Sequence, residues 1–231
     1  MKKLVKLFSV LFFCGVLALG ISSCSNDDGH SLGDFYLSWA TTNDEGRTFM
    51  LDDKDSTTLF VSATSTNYQP KNKRVVINFT ILSDQYNGYD HLIKLNGYVA
   101  DVLTKNVIYL DPNDQAQQDS IGNDPIEIKG IWEGGGYLNI KFAYLTANQN
   151  PHLVNLISTK PDKSVTDDVV ELEFRHNREG DPQNYMTEGL VSFDLAPYRK
   201  EGRDTVAFKI KVKLSDTETK IYDIEYKYGK P

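Results

Sequence analysis

From Val206 to Leu214 every second residue is strongly apolar: Val206, Phe208, Ile210, Val212 and Leu214 alternate with Ala207, Lys209, Lys211 and Lys213. A strand turns successive side chains to opposite faces, so this period of two describes a half-buried antiparallel strand with lysines facing water. Ser215-Asp216-Thr217 follows as a turn, after which Tyr222, Ile224, Tyr226 and Tyr228 alternate with Asp223, Glu225 and Lys227, completing a C-terminal hairpin. The same alternation governs Leu138 to Tyr144 and Val170 to His176. Gly134-Gly135-Gly136 is a turn that pairs the former with Ile126 to Trp132. With Leu153–Ser158 and Leu190–Leu195, about seven strands follow Pro125 at sandwich-like spacing.

Upstream, Phe35, Leu37 and Trp39 open a first strand. Arg47–Leu51, Thr57–Val61, Arg74–Leu82 and Ile93–Leu103 follow, separated by Asn, Asp, Gly and Pro clusters. Five strands in so short a stretch suit a small barrel. No segment has a convincing 3.6-residue period. Asp111 to Asp124 has hardly an apolar residue and reads as an interdomain linker. The expected architecture is all-β: an OB-like barrel over 34–122 and an antiparallel β-sandwich over 123–231.

The N-terminus reads as a processing signal. Lys2, Lys3 and Lys6 precede an apolar run from Leu7 to Ile21, too short to remain as a membrane-spanning helix. Ile21-Ser22-Ser23-Cys24 resembles a bacterial lipobox, which implies cleavage between Ser23 and Cys24 and lipidation of the Cys24 thiol. Two or three acyl chains give stable membrane attachment. Residues 1–23 are then a lipoprotein signal peptide and 24–33 a flexible tether. Ser25-Asn26-Asp27-Asp28 resembles the acidic export motif of surface lipoproteins in the Bacteroides group. An outer-membrane lipoprotein on the cell surface is expected, with the periplasmic face as the alternative.

Cys14 leaves with the signal and Cys24 is consumed by lipid, so no disulfide or thiolate metal site can form. Cleavage also removes three lysines and no acid from a total of 25 basic and 32 acidic residues, leaving 22 against 32 and a net charge of −10. A chain so acidic and without a basic stripe is no partner for nucleic acid.

Several segments together resemble the NigD-like family of Bacteroides-group lipoproteins. Besides the lipobox they are Gly33-Asp34-Phe35-Tyr36, Tyr137-Leu138-Asn139-Ile140-Lys141-Phe142, Leu172-Glu173-Phe174-Arg175-His176-Asn177, and Val191-Ser192-Phe193-Asp194-Leu195 ahead of Pro197-Tyr198. The resemblance implies an N-terminal OB-like barrel and a C-terminal sandwich, and a role of bacteriocin-immunity type. It carries over no functional residue except the lipidated cysteine. One departure is that Ala63 to Lys73, where an OB-fold often has a helix, reads as loop.

No catalytic signature is present. His30, His91, His152 and His176 stand far apart, with no spacing that aims two imidazoles at one metal. His176 continues the apolar face of its strand and reads as a partly buried edge residue. Asp111-Pro112-Asn113-Asp114-Gln115 lacks the glycine and bidentate glutamate of a calcium loop. Asp52-Asp53-Lys54-Asp55 reads as a solvated turn. No metal or cofactor is implied. The best candidate for recognition is the polar connection His176–Gly189, with His176, Arg178, Asp181, Asn184 and Tyr185 as its adaptable polar groups and rigid aromatic. The expected function is binding without catalysis, to a protein of the envelope or a secreted toxin. A glycan-binding surface using Trp39, Trp132 and tyrosines is the alternative.

Overall fold

A computed structural model of the chain describes residues 30–161 and 169–228. The signal peptide, Ser23 and Cys24 of the lipobox, and Ser25, Asn26, Asp27 and Asp28 of the export motif lie outside the described residues. No helix among the described residues is long and apolar enough to cross a membrane.

The first half is built from β1 (Tyr36–Asn43), β2 (Thr48–Leu51), β3 (Thr58–Thr64), β4 (Arg74–Tyr86) and β5 (Tyr89–Asn106). β1 pairs antiparallel with β2 and β4, β2 with β3, and β4 with β5. A parallel pairing of β3 with β5 then closes the sheet into a five-stranded barrel. Closure needs strongly curved strands, and the register slips that provide curvature lie between Val76 and Ile77, Asn78 and Phe79, and Ile81 and Ser83. Ala40, Phe49, Leu59, Val75, Ile77, Phe79, Ile93 and Leu95 fill the interior. They are the alternate positions of strands whose other face meets water.

Between β3 and β4 the chain runs as a loop. The Asp101 carboxylate on β5 holds it, accepting from the Tyr68 hydroxyl at 2.6 Å, the Lys71 amide at 2.7 Å and the Asn72 amide at 3.0 Å. These bonds satisfy backbone donors that a helix would otherwise satisfy.

The second half comprises β6 (Ile108–Tyr109), α1 (Gln115–Ile121), β7 (Glu127–Gly134), β8 (Tyr137–Thr146), β9 (Leu153–Ser158), β10 (Val169–Asn177), β11 (Tyr185–Asp194), β12 (Thr205–Lys213) and β13 (Thr219–Lys227). One sheet runs β13-β12-β10-β9-β6 and is not wholly antiparallel as expected: β10 pairs parallel with β12, because the chain crosses to the facing sheet as β11 between them, and β6 pairs parallel with β9. The facing sheet is not separate from the barrel, because the end of β5, Leu103 to Asn106, pairs parallel with β11, and β11 continues to β8 and β7. A single eight-stranded sheet thus passes through both halves. Phe142, Leu156, Leu172, Phe174, Val191, Phe193, Phe208, Ile210 and Tyr226 form the core between the two layers.

The segment Asp111–Asp124, expected to be a linker, is instead ordered against the sandwich and contains α1. Asp114 caps the helix by accepting from the Gln117 amide at 3.0 Å, and Gly122 ends it at φ 67°. The Gln118 side chain accepts from Arg175 on β10 at 2.7 Å. α1 buries no residue, so it has no apolar stripe to announce it.

Asp52 also departs from the solvated turn expected of it. Its carboxylate forms an ion pair with Arg74, whose side chain is completely buried. The Arg74 guanidinium also donates to Thr41 at 2.8 Å and to Asn139 of the sandwich at 3.3 Å, and lies 4.8 Å from the Tyr137 ring centroid. The glycine turn between β7 and β8 packs on this pair. Gly135 has φ 61°, and a Cβ there would collide with Asp52 and come within 2.7 Å of Arg74. Trp39 of the barrel and Trp132 of the sandwich meet edge-to-face beside it, 5.2 Å between centroids.

Candidate functional site

β10 ends at Asn177 and β11 begins at Tyr185, so the expected recognition loop is shorter than His176–Gly189: its irregular part is 178–184. Its tip turns through Glu179 (φ 52°) and Gly180 (φ 72°), closed by the Asp181 amide donating to the Arg178 carbonyl at 2.9 Å. Of the five residues expected to present themselves, two do not. His176 is 2% and Asp181 1% exposed, so neither offers a contact surface. His176 is also not at an edge, since β10 lies between β9 and β12.

Asp181 is the knot of the region. One carboxylate oxygen accepts from the Thr146 hydroxyl at 2.7 Å and the Ala147 amide at 2.6 Å, the other from the amides of Gln149 at 2.8 Å and Asn150 at 3.1 Å. The loop after β8 is thereby tied to the loop after β10. Burial by itself would raise the Asp181 pKa. The bonds from Thr146, Ala147, Gln149 and His152 outweigh it and hold the carboxyl well below the usual carboxylate range.

Behind Asp181 the side chains form a chain of ring contacts. His152 Nε2 is 3.2 Å from Asp181, His152 Nδ1 is 2.8 Å from His176 Nε2, and His176 Nδ1 is 3.1 Å from the Pro125 carbonyl oxygen. The two imidazoles stack with centroids 5.0 Å apart, and Tyr144 covers His152 at 4.4 Å. Proton placement follows from the two ends. A carbonyl only accepts, so His176 carries a proton on Nδ1, and a carboxylate only accepts, so His152 donates to Asp181 from Nε2. Burial, opposed by the bond to the Pro125 carbonyl and reinforced by His152, moves the His176 pKa down, which keeps that ring neutral near pH 7. Together these contacts tie β8, β9 and β10 to one another and brace the surface beside them.

The braced surface is a cleft of about 590 Å³ lined by Asp124, Ile126, Glu127, Tyr144, Leu145, His176, Arg178, Gln183, Met186, Leu214 and Asp216, among others. Arg178 stands at its wall, donating its backbone amide to Asp124 at 2.9 Å and placing Nε 3.7 Å from the same carboxylate. Met186, 53% exposed, and its register partner Leu145, 38% exposed, border the cleft, while Tyr185, 48% exposed, turns to the other face of β11 beside them. Asn184 is exposed too, and its amide donates to the Thr146 carbonyl at 3.3 Å. Sequence reading missed Leu145 and Met186. The missed signal is parity: Leu145 breaks the β8 alternation by being apolar on the outward face. A larger depression of about 750 Å³ lies between Arg203, Asp204 and Glu225 at the start of β12.

Comparison with known proteins meets this geometry in two places. The NigD-like N-terminal OB domain matches residues 40–98 and the NigD-like C-terminal β-sandwich domain matches residues 107–226, more than half of the chain. The chain belongs to the NigD-like family. Among solved structures, this NigD-like protein is similar to a protein from Parabacteroides distasonis ATCC 8503 described as toxin-related, at 32% identity and a TM-score of 0.67, covering 84% of this chain and 94% of that one. A NigD-like immunity protein from Bacteroides caccae ATCC 43185 shares the fold at 20% identity and a TM-score of 0.61, over 84% of this chain and 97% of that one. A protein from Bacteroides fragilis NCTC 9343 described as a lipoprotein shares it at 15% identity and a TM-score of 0.56, over 85% of this chain and 100% of that one. No curated protein matches. None of these likenesses is to an enzyme family.

Proposed function

We propose that this NigD-like protein is a lipoprotein anchored through Cys24 in the outer membrane and facing outward, and that it acts by binding a protein partner along the Arg178–Met186 rim. The observation that carries the reading is the rigidity of an otherwise exposed apolar edge. Tyr185, Met186 and Leu145 are solvent-exposed, yet the loops beneath them are fixed through Asp181 by four hydrogen bonds. Pre-ordered large side chains contribute affinity because little freedom remains to be lost on association. A merely soluble loop needs neither the burial of Asp181 nor the exposed Met186.

The lipid anchor rests on the n-region, apolar run and lipobox of the sequence, and on likeness to the Bacteroides fragilis protein. An immunity-type role draws support from likeness to the toxin-related protein and the NigD-like immunity protein. The glycan alternative loses its main support, since Trp39 and Trp132 contact one another and Arg74 lies 5.7 Å from the Trp39 ring centroid. A sugar platform needs a free ring face.

The test is capture from cells of the source bacterium with the intact lipoprotein as bait. A partner enriched by the native chain and lost with Tyr185→Ala/Met186→Ala, but kept when the remote exposed Ile221 is changed to Ala, supports the reading. A partner indifferent to the rim, or none, contradicts it. Protease treatment of intact cells tests the outward orientation: digestion without lysis is expected.

A further inference from the structure

The histidines that stand apart in the sequence meet in pairs, and one pair lies far from the sandwich cleft. Asp84 on β4 and His91 on β5 are opposite one another in the antiparallel register, so their side chains leave the hairpin on the same face. His30, at the point where the chain enters the barrel, reaches the same spot. His30 Nε2 is 3.0 Å and His91 Nδ1 2.7 Å from a single oxygen, Asp84 Oδ1, and the three donor atoms lie within 4.8 Å of one another.

Hydrogen bonding accounts for only one of these approaches. The His30 contact is an aligned hydrogen bond. His91 Nδ1 is shielded from solvent and, despite its closeness to Asp84, has no aligned hydrogen-bond partner among the described residues. A ring nitrogen withdrawn from water beside two other donors and without an aligned hydrogen bond is a group that a coordinated cation would satisfy.

We propose that His30, Asp84 and His91 form a three-ligand site for a divalent transition metal of zinc type, fastening the chain that enters the barrel to the β4–β5 hairpin. Two imidazole nitrogens and one carboxylate oxygen suit zinc and its neighbours, whereas magnesium and calcium select oxygen alone. Zinc takes nitrogen and oxygen ligands at about 2.0–2.2 Å, so tetrahedral ligand atoms stand about 3.4 Å apart. The two nitrogens must move out from Asp84 by roughly 0.4–0.7 Å and close on one another by up to about 1.4 Å, within the freedom of partly exposed side chains. The fourth position is left to water or to a donor from a partner. The segment in question leads directly from the acidic residues after Cys24, so metal occupancy sets how the barrel is held relative to its anchor.

The experiment uses the full chain in detergent, stripped with chelator, incubated with zinc, dialysed, and assayed for bound metal by mass spectrometry. One retained zinc per chain is expected, falling at least tenfold in occupancy in His91→Ala and in Asp84→Ala. Circular dichroism of both variants should match the native chain, because neither residue belongs to the barrel core. Failure of the native chain to retain zinc overturns the proposal. So does zinc retained by His91→Ala, which would move the metal elsewhere, for instance to the His152–His176 pair, and so does retention of magnesium in preference to zinc.

Discussion

Arg74 of the barrel donates to Asn139 of the sandwich at 3.3 Å, and Asn139 in turn accepts from the Ser192 hydroxyl at 2.7 Å. The only fully buried arginine among the described residues therefore stands at the junction of the two halves, neutralised from the barrel side by Asp52 and bonded to the sandwich. An ion removed from water needs its partner more than the partner's net contribution would suggest.

Asp52→Ala is accordingly expected to destabilise the protein by about 3–5 kcal/mol, since it strands a buried guanidinium. The double variant Asp52→Leu/Arg74→Met should recover a large part of that loss, because no charge is left uncompensated. Denaturant titration of both variants checks the pair. Equal losses in single and double variants would mean that the ion pair is not the source of the effect.

Acid should loosen the braced cleft in two stages. His176 has its pKa lowered in the fold from the ordinary 6.5, so below that value the unfolded chain takes up a proton that the folded chain refuses, and stability declines as pH falls. Asp181 is also held low, so the stability its ionised form contributes is present above the unfolded value of 3.8 and is lost as pH falls below it. On the acid side stability is expected to decline below about 6.5 and to fall further below about 4. In His176→Gln the first decline should vanish while the second remains, as read from melting temperatures across pH.

Gly189 on β11 sits opposite Phe142 on β8, and a Cβ there would come within 2.5 Å of Phe142 Cζ. Gly189→Ala should cost roughly 1–3 kcal/mol through overpacking, and Phe142→Leu in the same chain should relieve part of it. Additive losses in the double variant would contradict this pairing.

Tyr198 is buried against Phe208, and its hydroxyl has no hydrogen-bond partner among the described residues. Burial pushes its pKa up to about 12, so the hydroxyl remains protonated at every working pH. Tyr198→Phe should be neutral or stabilising, by up to ~1 kcal/mol, since it removes a desolvated polar group without opening a cavity. A clear loss of stability would reveal a partner for the hydroxyl.

The strands were legible because their physics is local. Half-burial imposes a period of two, and β1–β5 and β7–β13 each overlap an expected strand, with β4 and β5 running several residues further and β11 beginning five residues earlier, inside the expected loop. The glycine turn and the C-terminal hairpin were legible for the same reason. What escaped was whatever depends on distant partners. Arg74 follows Lys71-Asn72-Lys73 and looks like one more surface cation, until barrel closure brings it to Asp52. Asp181 sits in a run of polar residues, and nothing local says that it points inward to Thr146. The histidine pairs are separated by 61 and 24 positions, joined only by the strand order. α1 had a readable signal in Asp114 and Gly122, but without an apolar face its caps stood alone.

The central claim is that the Arg178–Met186 rim meets a protein partner, and site-specific photo-crosslinking in intact cells tests it most directly. A photoreactive phenylalanine analogue in place of Tyr185, 48% exposed on the rim, is compared with the same group in place of Ile221, 55% exposed on β13. The account predicts a discrete crosslinked species from position 185 and none from position 221. No adduct at 185, or the same adduct from both positions, would contradict it.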